Sequence, residues 1–136
     1  MSRVVYPSLF LVLLAGCQLP PEQVPLKPLP DDGPPQAYAD IVNRARVQAT
    51  AANEAFYVNK WSDLEDAAKG LEQTAGYLTK TADVPTRHKA ILPGEAETLI
   101  KETRLLREAA RSQDVKQANE ILQQINLKVR ELRPDN

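Results

Sequence analysis

The chain holds one cysteine, one histidine, one methionine and five glycines in 136 residues, and only 5% of it is aromatic. A lone cysteine has no intramolecular partner, so a disulfide scaffold is excluded. No Cys/His cluster with metal-site spacing, no Gly-rich phosphate loop and no nucleophile elbow occurs. An excess of positive charge is missing too: 17 Lys+Arg face 18 Asp+Glu, a formal net charge of −1, with no basic block. Neutralising nucleic-acid phosphates needs such an excess, so nucleic acid is not an expected partner. The length suits one small domain and excludes a large multi-domain enzyme.

Proline is the one residue in local surplus, and it divides the chain. Seven of the eleven prolines fall between Leu19 and Pro35. Before them, residues 1–16 carry a single basic residue, Arg3, and then an apolar run from Val4 to Ala15. That run is too short to cross ~30 Å of hydrocarbon as a helix and reads as a signal peptide.

The run ends in Leu14, Ala15, Gly16 and Cys17, which together resemble the lipobox of bacterial lipoproteins. Small residues at 15 and 16 let the chain lie extended in a peptidase cleft, and the thiol is the side chain suited to a thioether with lipid. The resemblance implies a diacylglyceryl group on Cys17, cleavage before it, and further acylation of the palmitate type on the new amine. Two or more acyl chains anchor a protein stably where one binds marginally. The alternative is an ordinary signal peptide followed by a free or disulfide-linked cysteine. Gln18, where an Asp would mark retention in enterobacterial lipoproteins, favours the outer membrane, facing the periplasm, over the inner membrane. Cleavage removes only Arg3 among the charged residues, so the remainder carries a charge of about −2 and shows no electrostatic attraction to membranes.

Residues 17–35 form the next unit, the lipidated cysteine and a proline-rich spacer. Prolines there recur too often for a helix and favour polyproline II at ~3.1 Å per residue, a reach on the order of 50 Å. The same prolines could instead serve as a ligand for a partner's groove. Asp31-Asp32-Gly33-Pro34-Pro35 closes the segment as a turn.

From residue 36 the pattern becomes helical, and only Pro85, Pro93 and Pro134 interrupt it. The first helix is expected from about Gln36 to Asn59, with Tyr38, Ile41/Val42, Ala45, Ala49, Ala52 and Phe56 on one face. Trp61, Leu64, Ala68, Leu71, Ala75, Leu78 and Ala82 step by three and four along the second. Leu92, Ala96, Leu99, Thr103, Leu106 and Ala110 do so along the third, and Val115, Ala118, Leu122, Ile125, Val129 and Leu132 along the fourth. Ser62-Asp63-Leu64-Glu65 and Asp114-Val115-Lys116-Gln117 read as capping boxes, and Pro93 suits a first helical turn. Glu65/Lys69 and Glu97/Lys101 are placed to pair along exposed faces. Short joints near 60 and 112 and a longer one at 83–92 make successive helices antiparallel neighbours. The expected fold over 36–133 is an all-α, up-down-up-down four-helix bundle, monomeric because its four helices bury one another, with a short tail at 134–136.

The stretch Ala52-Asn53-Glu54-Ala55-Phe56-Tyr57, the stretch from Trp61 to Ala75 and the closing Arg130-Glu131-Leu132-Arg133 resemble the cytochrome b562 and cytochrome c-prime superfamily of four-helix bundles. The likeness lies in helix lengths and core patterning. It implies the bundle fold, and in haem-carrying members it implies iron ligands. Aligning the closing Arg puts the histidine of the covalent-haem motif at Val129 and its two cysteines at Ile125 and Lys128, and none matches. Non-covalent members use a methionine and a histidine, whereas the only methionine here is Met1. No cofactor and no metal ligand is therefore expected.

His88 sits between Arg87 and Lys89 with no companion ligand nearby, and is expected to be a surface-loop residue. Phe56, Tyr57 and Trp61 gather at the corner between the first two helices, where they either cap the core or offer an anchor to a partner. The functional expectation is a membrane-anchored, non-catalytic binding or structural module with an envelope protein as partner. The alternative is a haem- or metal-binding electron carrier.

Overall fold

The computed structural model describes residues 26–135. The expected signal peptide, the expected lipobox residues Leu14, Ala15 and Gly16, Cys17, and the expected spacer as far as Pro25 lie outside the described residues.

The described chain is all-α: α1 (Tyr38–Tyr57), α2 (Trp61–Tyr77), a 3-10 turn (Leu78–Lys80), α3 (Thr86–Lys89), α4 (Leu92–Ser112) and α5 (Val115–Glu131). No strand occurs among the described residues. An isolated backbone bridge, Tyr38 N to Ala82 O at 3.0 Å and Ala82 N to Gln36 O at 2.9 Å, joins the entry of α1 to the exit of α2.

The apolar seams supply the core. Ile41, Ala45, Leu64, Leu71, Leu99, Leu106, Leu122 and Ile125 are all buried, and alanines between them let the helices approach closely. Helix α1 packs on α2 and α5, α2 on α4, and α4 on α5. Two polar side chains enter this seam with their bonding satisfied. Thr74 donates its hydroxyl to Gln48 Oε1 at 2.6 Å, and Thr103 donates to Ile100 O at 2.8 Å. Gly70 makes room for the first of these, since a Cβ there would meet Gln48 Nε2 at 3.0 Å.

The sequence misjudges the ends of the seams. Val115 is 57% exposed and Ala82 is exposed, because α5 begins at Val115 and α2 closes at Tyr77 before tightening into the 3-10 turn. Ser62 does not cap α2, whose N-cap is Lys60 with no side-chain bond, whereas Asp114 does cap α5 and accepts from Gln117 N at 3.0 Å. Both short joints end a helix with a left-handed residue that is not glycine: Asn59 at φ 57° and Gln113 at φ 53°. Lys60 N bonds to Ala55 O and Asp114 N to Ala109 O, the six-to-one closure expected of such a helix end.

Besides the local Lys60–Asp63 and Lys128–Glu131 pairs, surface charge joins helices. Glu65 turns away from Lys69 to Arg111 at 2.6 Å, Glu72 takes both Arg104 and Arg107 at 2.8 and 2.9 Å, and Lys128 reaches Glu95 at 3.0 Å. Burial pushes the Glu72 carboxyl up, but the hydrogen bonds and charges of Arg104 and Arg107 outweigh it and hold the pKa below the usual value. Lys128 is raised above its ordinary value, chiefly by its bond to Glu95 and against the effect of burial.

The end of the proline-rich segment lies on the helices. Leu29 packs against the core; Arg44 donates to Lys27 O, Gln73 donates to Leu29 O at 3.4 Å, and the Tyr77 hydroxyl donates to Pro30 O at 2.5 Å. Residues 27–31 are therefore a strap across α1 and α2 and do not extend away from the domain.

Candidate functional site

The α1–α2 corner brings Phe56, Tyr57 and Trp61 together as their spacing suggests. The left-handed Asn59 reverses the chain within three residues, and this sets the end of α1 against the start of α2. Phe56 meets Trp61 edge to face at 6.0 Å between centroids and Tyr57 at 5.6 Å, both arrangements that aromatic quadrupoles favour. The roles divide within the trio. Phe56 and Trp61 are partly buried against the core, while Tyr57 is 76% exposed. Val58 beside it is exposed, and so is Val115 at the α4–α5 corner, which the Glu65–Arg111 pair holds at the same end of the domain. The end thus carries a fixed aromatic base with three projecting apolar or amphipathic side chains. Such a surface suits contact with another macromolecule.

The positions aligned with haem ligands are filled otherwise. Ile125 and Val129 are buried in the core, and Lys128 is held between Glu95 and Glu131. Neither apolar side chain offers a lone pair to iron. Among the described residues no three of His, Cys, Asp and Glu gather as metal ligands.

His88 is the main correction to the sequence reading. It is only 4% exposed, not a surface-loop residue. The short helix α3 turns its ring inward, where it stacks on Tyr38 at 5.8 Å and places Nε2 3.2 Å from Arg133 O. Arg87 adds donations to Arg133 O at 3.3 Å and to Pro134 O. Tyr38, itself 1% exposed, donates its hydroxyl to Leu132 O at 2.6 Å. Burial raises the Tyr38 pKa, with the nearby Arg87 charge pulling it partly back. Together these groups satisfy carbonyls that the end of α5 leaves without helical partners. They are a clasp joining the start of α1, the α2–α4 connection and the chain's last residues.

The sequence reading also passed over a groove between α1 and α5, lined by Arg46, Val47, Val129 and Arg133 among others. Its residues are separated by about eighty positions, and no local pattern joins them. Comparison of the chain with protein-family models, with curated proteins and with solved structures found no match.

Proposed function

We propose that this chain is a lipid-anchored protein of the bacterial cell envelope that presents a helical domain as a non-catalytic binding or structural module. The observation that carries the reading is Leu14-Ala15-Gly16-Cys17 at the end of a short apolar run, placed at the chain's single cysteine. In this reading Cys17 becomes the acylated N-terminus, and Gln18 directs the protein to the outer membrane, facing the periplasm. The strap shortens the tether. With residues 27–31 held on α1 and α2, the spacer expected from the sequence is shortened to residues 17–26, a reach on the order of 30 Å for polyproline II.

The helical domain is read as an up-down-up-down four-helix bundle, with α3 an insertion in the long connection. The closed ring of contacts among α1, α2, α4 and α5 and the two tight joints support this arrangement. The likeness to the cytochrome b562 and c-prime superfamily then concerns the scaffold alone. The bundle is taken as monomeric, with an envelope protein as its partner at the end bearing Tyr57, Val58 and Val115.

Fatty-acid labelling of cells making the full chain tests the anchor. Wild type is expected to take up label and to sediment with membranes, and Cys17→Ala to accumulate as an unlabelled precursor. Equal labelling of the two would refute it. Tyr57→Ala is expected to leave labelling and thermal stability unchanged while weakening capture of the envelope partner.

A further inference from the structure

The four helix pairs do not close in the same way. The faces between α2 and α4 and between α4 and α5 are sealed by cross-helix ion pairs, in which Glu72, Glu65 and Glu95 neutralise Arg104, Arg107, Arg111 and Lys128. The α1 and α5 pair is the least closely packed of the four, and no ion pair crosses it among the described residues. In place of a seal it has a groove of about 620 Å³. Asn53 and Asn126 exchange two amide hydrogen bonds of 3.0 Å across the two helices, and Asn126 lines the groove.

The lining has two characters. Val47, 41% exposed, and Val129 provide an apolar floor, while Arg46 and Arg133 stand along it and no carboxylate among the described residues lines it. Arg46 meets only the neutral amide oxygen of Asn43, at 3.1 Å, and no carboxylate among the described residues pairs with Arg46 or Arg133. Arg104, Arg107 and Arg111 pair with glutamates across α2 and α4, whereas Arg46 and Arg133 meet none, so these two guanidiniums define the sign of what the groove accepts. Guanidinium forks fit carboxylate and phosphate oxygens in pairs.

Size decides between a small molecule and a macromolecule. From Asn126 to Arg133 the groove follows the last turns of α5 and the two residues past its end, roughly 10 Å in all. A docked amphipathic helix needs anchors over a longer span, whereas this volume lies within the ~300–1,000 Å³ of small-ligand sites. We propose that the α1–α5 groove binds a small amphiphilic anion, its carboxylate or phosphate head held by Arg46 and Arg133 and its apolar body lying on Val47 and Val129. The site is independent of the lipid anchor and of the aromatic end.

The test uses the chain from Gln18 to Asn136, which keeps every described residue and the whole buried core. Hexyl phosphate is titrated while amide resonances are followed by NMR. Saturable shifts confined to residues 46–50 and 126–133, with a dissociation constant on the order of millimolar or tighter, are expected. Inorganic phosphate should bind about tenfold more weakly for want of an apolar body, and hexyltrimethylammonium should not bind at the site. Arg46→Gln combined with Arg133→Gln should weaken hexyl phosphate about tenfold or more, since charge-assisted hydrogen bonds are lost. Val47→Glu, a separate change at an exposed position, should abolish binding with melting unchanged. The proposal is overturned by an absence of saturable shifts, by shifts centred elsewhere, by inorganic phosphate or the cation binding as well as hexyl phosphate, or by folded variants that bind like wild type.

Discussion

Replacing Tyr38 by phenylalanine removes a single oxygen from the clasp that joins the start of α1 to the end of α5. The ring stays, so its packing in the core and its stacking on His88 at 5.8 Å are retained. What is lost is the 2.6 Å donation to Leu132 O, a buried carbonyl at the end of α5 that no residue of the helix can serve. Leaving such an acceptor unsatisfied costs about 1–3 kcal/mol. Urea denaturation at pH 7 should show that loss as a lower midpoint with an unchanged slope. A second signature comes from pH. Burial raises the Tyr38 pKa above its ordinary 10.0 despite Arg87. In the unfolded chain the phenol therefore ionises first, so this contribution is intact below about pH 10 and fades as pH rises through the folded value. Phenylalanine has nothing to ionise there. The gap between the two proteins should be constant from neutral pH to about pH 9 and should narrow above pH 10. Equal stability at pH 7, or a gap unchanged to about pH 11, would refute the account of the clasp.

Further expectations follow from the core, the cross-helix charges and the joints. Leu71→Ala and Leu122→Ala, both in the buried seam, should each cost about 2–5 kcal/mol by urea denaturation, whereas Lys69→Ala on the outer face should change stability by less than about 0.5 kcal/mol. The Glu72 pKa is depressed in the folded state, so its contribution is full above the unfolded value near 4.5 and is lost as pH falls through the lower folded value. Acid titration of Glu72→Gln should accordingly show a shallower loss of stability below pH 4.5 than wild type does, and parallel curves would contradict this. Gln113 holds φ 53°, a conformation glycine adopts without strain, so Gln113→Gly should stabilise by about 1 kcal/mol. A lower melting temperature for that variant would count against the joint as described.

The helical seams are legible in the sequence because each is written locally, in residues three and four apart that one helix face must bury. Leu64 through Leu78 and Leu92 through Ala110 are buried where that spacing puts them. The errors arise where the deciding partner is remote. His88 stands between the cations Arg87 and Lys89 in the sequence, yet its burial is fixed by Tyr38 and by the Arg133 carbonyl. Lys27 to Asp31 read as free polyproline by composition, but their position is set by Arg44, Gln73 and Tyr77. Glu65 has a helical partner four residues on and takes Arg111 instead, because a guanidinium from the facing helix offers a bond of 2.6 Å. Val115 keeps the seam's spacing but stands at the first turn of α5, beyond the point where another helix covers it. The aromatic corner was legible, since turn and trio lie within six residues. The α1–α5 groove was not, since Arg46 and Arg133 are more than eighty residues apart in the sequence.

The central claim is that the chain is cleaved before Cys17 and held to a membrane by acyl chains on that residue. An intact mass spectrum of the protein extracted from membranes of a cell that processes lipoproteins tests it most directly. The account predicts a chain beginning at Cys17, heavier than its amino-acid mass by a diacylglyceryl group and with a further acyl group on the amine. A chain beginning at Cys17 or later with no added lipid, or the whole chain with its leader intact and unmodified, would contradict it.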